Sequence, residues 1–241
     1  MKDIQKDIID KLTPEAIEDM QHIFFVADLH FDHPKIVRIC NRPVPLTENL
    51  DIAIPEQKKR LNELHNDWLI REVYNKYIDR KDEVYILGDV SLYPKNDAEK
   101  IIDRLHGNKH LIVGNHDGNI AHSTRFCEIT QRKDFRYKRF GLDLEIILDH
   151  YPIVSWKNKI HGSFMLYGHV HGRLGNLPLE IEKFLGFIWD VGIDNKKTWE
   201  DLEGKECSNW CKPVNLYEVI QIMTWKAKSL GKGIDGEYNI E

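Results

Sequence analysis

The sequence predicts an α/β protein built around a largely parallel sheet. Apolar runs of strand length, such as "HIFFVAD" (His22–Asp28) and "DEVYILGD" (Asp82–Asp89), end at glycine or at polar residues. Helical segments separate these runs in the first half of the chain. Strand–helix–strand units of this kind fold as right-handed parallel crossovers.

The elements of the first half follow in order. Strand 22–28 leads into a helical turn or two in "HPKIVRICNRP", which ends before Pro43, and then into an irregular loop over 44–55. From Glu56 to about Tyr77, apolar residues recur at helical spacing and predict a long amphipathic helix with a charged outer face. Strand 82–89, a helix over 97–108 that is closed by Gly107, and a third strand over 109–117 complete this half.

The second half is richer in strands. Segments 134–140 and 142–150, separated by Gly141, predict a hairpin, and 164–170 and 187–193 predict two further strands. Asn215 with Glu218 three residues later resembles a capping box that opens a final helix over 216–228.

Length and composition predict one domain over residues 1–241. The chain is 41% hydrophobic and 30% charged, enough for a sizeable core and unlike a disordered protein. Within the domain we expect a helical insertion at about 56–80 and a loose C-terminal tail at about 230–241.

The charge balance narrows the classes of partner. With 34 basic and 39 acidic residues, the net charge of −5 creates no general attraction for nucleic acid. No run approaches the ~20 apolar residues of a membrane-spanning helix. The N-terminal segment carries charges throughout and lacks the apolar centre of a signal peptide, which predicts a cytoplasmic protein without a membrane partner.

The cysteines do not form a recognisable disulfide framework. Cys40, Cys127, Cys207 and Cys211 are widely placed for a chain of this length. Cys207 and Cys211 have a spacing that suits metal ligands, but no second His/Cys pair lies near them in the sequence. We therefore expect reduced thiols.

Polar residues follow five predicted strands at the point where each strand ends. They are Asp28 and His30, Asp89, Asn115 with His116 and Asp117, His150, and His169 with His171. In open α/β sheets, ligands bind beyond the carboxyl ends of the strands, so these side chains are expected to meet at one edge. Imidazole and carboxylate together suit zinc, iron, manganese and similar ions.

The number of candidate ligands favours two ions. Seven side chains exceed what one ion needs when substrate must also bind, whereas two ions can share a bridging carboxylate. Each motif alone could instead have a purely structural role, as a helix cap, a loop histidine or a half-exposed strand face. Their shared placement at strand ends argues for the metal centre.

The motifs "DLH", "GD", "GNHD", "DHYP" and "GHVH" stand in the order found in calcineurin-like metallophosphoesterases, which the sequence from Asp28 to His171 closely resembles. The segment "FFVADLHFDHPKIVRICNRP" is also similar to a subgroup of small phosphoesterases from bacteria and phages. The resemblance implies a four-layer α/β sandwich, with two mixed sheets face to face, helices outside, and a dinuclear centre at the strand ends.

The resemblance also divides the ligands. It assigns Asp28, His30, Asp89 and His171 to one ion, and Asp89, Asn115, His150 and His169 to the other, with Asp89 bridging. The expected cofactors are two divalent transition-metal ions, manganese first, with iron, zinc or nickel as alternatives.

The expected reaction is hydrolysis of a phosphate ester by metal-activated hydroxide. His116 is expected to be catalytic, as general acid for the leaving group or as a stabiliser of charge on the phosphoryl oxygens. Its neighbour Asp117 is expected to hold the His116 imidazole in the useful tautomer. The alternative for His116 is a histidine that only supports a metal-binding carboxylate.

Four residues are candidates for contacts at the substrate. Asn115 borders the phosphate, His33 lines the mouth, His161 lies near the site or supports His169, and Arg173 offers a bidentate contact. A helix-start histidine and a solvated arginine are equal alternatives for His33 and Arg173. The loop from Arg42 to Pro55 and the segment from Ile193 to Pro213 are expected to shape the pocket.

Three alternatives remain open for the activity. The expected substrate is a small-molecule or nucleotide phosphodiester, and a phosphomonoesterase is the near rival. A metal-dependent nuclease depends on the basic segment 124–140, whose charges are more simply explained as the outer face of a hairpin. A non-catalytic module on the same fold is disfavoured, because every ligand position matches the motif.

Overall fold

The computed structural model describes residues 8–196 and 210–229. Five strands form the first of two mixed sheets: β1 (Ile23–Val26), β2 (Glu83–Ile86), β3 (Asn108–Ile112), β4 (Glu128–Thr130) and β9 (Val214–Asn215). Their order is β4-β3-β2-β1-β9, with β1 to β4 parallel and β9 antiparallel to β1. The parallel strands expected over 22–28, 82–89 and 109–117 are confirmed.

Four strands form the second sheet in the order β5-β6-β7-β8: β5 (Arg132–Tyr137), β6 (Leu144–Asp149), β7 (Phe164–Tyr167) and β8 (Ile188–Asp190). The pair β5–β6 is the expected antiparallel hairpin, which turns through Gly141 at a φ of 74°. The pairs β6–β7 and β7–β8 are parallel, so this sheet is also mixed.

The two sheets pack face to face through aromatic side chains. The ring of Phe25 on β1 lies 5.7 Å from those of Tyr85 on β2 and Phe135 on β5. In β7, Phe164 and Leu166 join this main core, whereas Met165 and Tyr167 join a second apolar cluster on the outer face of the sheet. This alternation follows from the two-residue period of a strand.

Helices cover the outer faces, and the expected architecture of two mixed sheets flanked by helices is confirmed. The helix α6 packs against β1, and α1 packs on α6. The α-helices are α1 (Pro14–Met20), α2 (Pro34–Ile39), α3 (Pro55–Trp68), α4 (Lys95–Ile102), α5 (Leu179–Leu185) and α6 (Leu216–Ser229). Every helix within 8–196 and 210–229 is too short or too polar to cross a membrane.

Two predicted helices differ in detail. The helix expected from Glu56 to Tyr77 is α-helical only to Trp68 and continues as a π-helix over Leu69–Tyr74, marked by a bond from the Asn75 amide to the Ile70 carbonyl. The helix expected over 97–108 ends at Ile102 rather than at Gly107. The expected tail over 230–241 lies outside the described residues.

The final helix begins as expected. The amide of Glu218 donates to Asn215 Oδ1, and the amide of Asn215 donates to Glu218 Oε2, each at 2.9 Å. These reciprocal bonds are the capping box that the sequence indicated.

Candidate metal centre

The seven candidate ligands lie at one edge of the paired sheets, each just after the carboxyl end of its strand. Three strands of the first sheet and two of the second supply them: Asp28 and His30 follow β1, Asp89 follows β2, Asn115 follows β3, His150 follows β6, and His169 and His171 follow β7. The side-by-side parallel pairing of β1 with β2, β2 with β3 and β6 with β7 brings these ends together.

Backbone strain is concentrated at these positions. Five of the seven residues have φ between 51° and 72°, a region that non-glycine residues seldom adopt: Asp28, His30, Asp89, His169 and His171. Strained conformations persist only where the surrounding structure holds them, and they cluster at functional sites.

Close backbone approach requires glycine at two of the strand ends. A Cβ on Gly88 would lie 2.5 Å from His150 Nδ1, and one on Gly114 would lie 2.5 Å from Asp89 Oδ1. Both distances are far inside van der Waals contact. These glycines therefore let the turns after β2 and β3 press against the ligands.

One group of ligands comprises Asp28, His30 and His171, whose donor atoms lie within 4.8 Å of one another. Nε2 of His30 is 4.0 Å from Asp28 Oδ1 and 3.6 Å from Asp89 Oδ2. Both ring nitrogens of His30 are buried and lack a hydrogen-bond partner among the described residues. A buried, unpartnered imidazole is costly, and a bound cation would satisfy it.

The other group comprises Asp89, His150 and His169. Nε2 of His150 is 3.1 Å from Asn115 Oδ1 and 3.5 Å from Asp89 Oδ1. Nδ1 of His150 lies 2.8 Å from the Leu87 carbonyl, so this nitrogen carries the proton and donates it. The Nε2 lone pair then faces Asn115 and Asp89, as a metal-binding histidine requires.

Asp89 lies between the two groups. Its Oδ2 faces His30 and its Oδ1 faces His150, and its side chain is 3% exposed. A buried carboxylate with one oxygen toward each group has the position of a bridging ligand.

The electrostatics of the site suit cations. Burial first, and then the charges of Asp190 and Asp89, raises the pKa of Asp28 well above its usual value. Burial lowers the pKa of His30 to about 2, so its imidazole is neutral and available as a ligand. Crowded buried carboxylates beside neutral imidazoles are the donor set that binds divalent transition metals.

Sequence reasoning missed two carboxylates at the carboxyl end of β8: Asp190, its last residue, and Asp194, four residues later. Asp190 accepts from the amides of Gly172 and Gly192, and burial raises its pKa to about 6. Asp194 lies 2.7 Å from His171 Nδ1. The rule of polar residues at strand ends would have found Asp194, which directly follows the predicted strand 187–193. Asp190 lies inside that predicted strand and marks a strand end only because β8 stops at Asp190.

The sequence also showed no sign that Arg42 supports the site from below. Burial alone would raise the pKa of Asp194, but the charge of Arg42 outweighs this effect and holds that pKa below its usual range. Arg42, expected to begin a substrate-shaping loop, is instead buried beneath the site, and Ile193 and Asp194 are buried too. Most of the other expected pocket segment, 197–209, lies outside the described residues.

Cys40 forms a third group of possible ligands with His171 and Asp194. Its Sγ is 3.6 Å from His171 Nδ1. Both oxygens of Asp194 already bind the guanidinium of Arg42, whose positive charge opposes a cation there. We therefore do not assign a metal to this group. Cys40, Cys127 and Cys211 are free thiols, and Cys207 lies outside the described residues.

His116 lies at the open side of the centre. Its side chain is 45% exposed, and Nε2 is 4.0 Å from Asp89 Oδ2. Its backbone amide donates to Asp89 Oδ1 at 2.9 Å. The imidazole is thus near both ligand groups while remaining accessible to solvent.

Asp117 does not have the expected position beside the His116 ring. Its Oδ2 accepts from the amides of Asp89 and Gly114, and its Oδ1 accepts from the amide of Val90, each at 2.8 Å. Both oxygens are therefore engaged by backbone of the strand ends. Asp117 holds the turns in place rather than orienting the imidazole.

The remaining predicted residues divide between the site and the opposite edge. His33 occupies the N-cap position of α2 without a side-chain capping bond, and its ring lies 5.3 Å from that of His30. Arg173 is exposed at the start of a 3-10 turn just after His171. His161 precedes β7, whereas His169 follows it, so the expected support of His169 by His161 is wrong. His161 instead lines a separate surface cavity with Arg136 and Phe164.

Known proteins with similar sequences include two of phage and archaeal origin. The uncharacterized protein MJ1445 of Methanocaldococcus jannaschii is 30% identical over 157 residues, which are 64% of this chain and 72% of that protein. The Gene 66 protein of Mycobacterium phage D29 is 26% identical over 208 residues, covering 76% of this chain and 92% of the phage protein.

A solved structure shares the fold. The protein of unknown function AQ665 from Aquifex aeolicus matches with a TM-score of 0.53 and 21% sequence identity, covering 83% of this chain and 98% of that one. The sequence profile of calcineurin-like phosphoesterases matches residues 21–225, a span that contains all seven candidate ligands. The chain therefore belongs to the calcineurin-like phosphoesterase family, whose members hydrolyse phosphate esters with the help of metal ions.

Proposed function

We propose that this protein hydrolyses phosphodiesters, of the small-molecule or nucleotide type, at a centre of two divalent transition-metal ions. The observation that carries the proposal is the position of Asp89, with one carboxylate oxygen toward His30 and the other toward His150. The ligands divide as Asp28, His30, Asp89 and His171 for one ion, and Asp89, Asn115, His150 and His169 for the other. Manganese is the first choice of metal.

Two ions in these positions would bind the phosphoryl oxygens and lower the pKa of a water molecule. The protein groups around them supply positioning and proton transfer. The Leu87 carbonyl accepts from Nδ1 of His150, and the Asp194 carboxylate accepts from Nδ1 of His171. These bonds leave the Nε2 lone pair of each ring free to bind a metal ion. His116, half exposed beside Asp89, is placed to give a proton to the departing alkoxide.

The charges near the site favour a diester over a monoester. A monoester dianion carries one more negative charge and gains more from a free guanidinium. Arg42, the buried arginine nearest the ligands, already donates to protein acceptors through Nε, Nη1 and Nη2. Arg173 is exposed at the rim, where solvent weakens its attraction for the extra charge of a monoester, and it supplies the proposed contact to the substrate phosphate together with His33.

The basic segment 124–140 gives little support to a nuclease. Arg125, Arg132, Lys133, Arg136 and Arg139 each form an ion pair with a carboxylate. Paired cations bind phosphates weakly, because their charge is already compensated. A diesterase acting on small substrates agrees better with this surface.

The substrate class is tested by comparing a bis-aryl with a mono-aryl phosphate as substrates of the Mn²⁺-loaded protein. We expect a higher kcat/KM for the bis-aryl phosphate. A strong preference for the mono-aryl phosphate would instead identify a phosphomonoesterase. Cleavage of single-stranded DNA or RNA by the same Mn²⁺-loaded protein would favour the nuclease instead.

The role of His116 is tested with His116→Ala, which we expect to lower kcat by about 10²–10⁴-fold. If His116 is the general acid, the loss is large for an alkoxide leaving group and small for 4-nitrophenolate, which needs no proton. The exposed His122 provides a matched control, since His122→Ala should leave kcat unchanged. An equal loss for both leaving groups contradicts the assignment as general acid.

A further inference from the structure

Arg42 is a buried cation that the proposed reaction does not use. Its side chain has no exposed surface, and burial of a charge is costly unless the charge is paired and hydrogen-bonded. Nε and Nη2 donate to the two carboxylate oxygens of Asp194 at 2.9 and 2.7 Å. This bidentate pair is the strongest geometry available to arginine and carboxylate.

The other donors of Arg42 reach the loop that carries two ligands. Nη2 donates to the Asp28 carbonyl at 2.7 Å, and Nη1 donates to the Leu29 carbonyl at 2.8 Å. Nη1 also lies 2.9 Å from His65 Nε2, and burial together with the charge of Arg42 lowers the pKa of His65 to about 2. All five N–H bonds of the guanidinium are thus engaged, with two of them on the strained backbone between β1 and His30.

Asp194 extends this network to a third ligand. Its Oδ2 accepts from His171 Nδ1 at 2.7 Å, which leaves the Nε2 lone pair of His171 free. Asp194 follows β8 of the second sheet, whereas Asp28 follows β1 of the first. Arg42 therefore connects His171, through Asp194, to the loop that carries Asp28 and His30, across the two sheets.

The second group of ligands makes no direct contact with Arg42 among the described residues, although the amide of His169 donates to the Asp28 carboxylate at 2.9 and 3.1 Å. Nδ1 of His150 donates to the Leu87 carbonyl, and the Asp89 backbone is held by Asp117. Within the described residues, the hydrogen bonds of Arg42 reach only the first group.

We propose that Arg42 is a positioning residue for one half of the metal centre. Through Asp194 and the Asp28–Leu29 backbone, it sets the affinity of the site formed by Asp28, His30 and His171. It affects the site formed by Asp89, His150 and His169 less, because Arg42 reaches that site only indirectly, through the shared ligand Asp89 and the bonds from the His169 amide to Asp28. This inference rests on the proposed two-ion centre.

The inference is tested by titrating metal-free protein with Mn²⁺ and resolving the two binding steps by calorimetry. Loss of such supporting contacts lowers metal affinity by about 10–100-fold. We expect Arg42→Lys and Asp194→Asn to weaken one step by that factor and the other step by much less. Arg132→Lys, in the more exposed Arg132–Asp149 pair, is the matched control and should leave both steps as in the wild type.

A second measurement uses the wild-type protein, so it does not depend on whether the Arg42 variants fold. Long-range ¹H–¹⁵N NMR of the metal-free wild type reports which nitrogen of His171 carries the proton, and His171→Gln identifies the signal. We expect the Nδ1–H tautomer. The Nε2–H tautomer would overturn the inference, as would equal weakening of both Mn²⁺ steps or no weakening in either variant.

The same titration separates failure of the inference from failure of the proposed function. A wild type that binds two ions while both variants match it overturns the role of Arg42 alone. A wild type that binds fewer than two ions overturns the two-ion centre and the inference with it.

Discussion

At the scale of single residues, Asp117 shows how a carboxylate beside a candidate catalytic residue serves the backbone. It is fully buried, and its oxygens accept from the amides of Asp89, Val90 and Gly114. These amides belong to the turns after β2 and β3, which carry Asp89 and Asn115. Asp117 thereby fixes the distance between two ligand-bearing turns.

We expect Asp117→Asn to lower the free energy of unfolding by about 1.5–3 kcal/mol, because an amide NH₂ would face backbone N–H donors. The measurement is urea unfolding with a chelator present, so that bound metal does not contribute. Asp134→Asn, which alters an exposed ion pair with Lys157, is the control and should change little. Unchanged stability with a selective loss of kcat would return Asp117 to the role of orienting His116.

The residues of the site differ in how visible they are in the sequence. All seven candidate ligands could be named because each directly follows a recognisable strand. Asp194 obeys the same rule and was overlooked, whereas Asp190 is hidden inside the predicted strand 187–193 because β8 ends earlier than predicted. Arg42 obeys no rule of this kind, because its partners lie 13, 14, 23 and 152 residues away and only the folded chain brings them together.

At the scale of elements, the long helix shows that the individual steps between its apolar residues reveal a change of helix type that their average spacing hides. The apolar positions Leu61, Leu64, Trp68, Val73 and Tyr77 are separated by three, four, five and four residues. The step of five falls where the helix becomes π-helical, over Leu69–Tyr74. A π-helical turn adds one residue and keeps Leu69, Ile70, Val73 and Tyr74 buried.

Deletion of Arg71 should therefore regularise the helix and rotate Val73 and Tyr74 away from the core. We expect a loss of about 2–5 kcal/mol in the free energy of unfolding, as for other losses of large buried side chains. The side chain of Arg71 is 70% exposed, so Arg71→Ala is a control that keeps the length of the segment. Equal stability of the deletion variant and the substitution variant would show that the extra residue has no packing role.

The elements that could not be predicted are the short ones. β4 has three residues and β9 has two, so neither shows a period, and the sheet supplies their pairing partners. The helices α1 and α5 have seven residues each, too few for a clear apolar stripe. Longer elements could be predicted because their apolar pattern repeats. Their ends were predicted most accurately where a specific capping residue, such as Asn215, marks the boundary.

At the scale of the whole molecule, each proposed ion draws ligands from both sheets. Asp28 and His30 of the first sheet face His171 of the second, and Asp89 of the first faces His150 and His169 of the second. A bound ion therefore links the two sheets directly.

Binding of metal should stabilise the fold as well as support activity. A ligand at 100 times its dissociation constant stabilises the native state by about 2.7 kcal/mol for each site. We expect the midpoint of urea unfolding to rise when Mn²⁺ is added to chelator-treated protein. In Asp89→Ala, which removes the shared ligand, the rise should disappear while the chain remains folded; the same midpoint with and without Mn²⁺ in the wild type would contradict the proposed centre.

The aromatic contact between the sheets has a consequence for reactivity at a distance. The rings of Phe25, Tyr85 and Phe135 hold the sheets at a fixed offset, with centroids 5.1–5.7 Å apart. If two ions bind as proposed, each would be held by residues of both sheets, and the offset between the sheets would set the distance between the two groups of ligands. We therefore expect substitutions at this aromatic contact to alter the rate without changing a ligand.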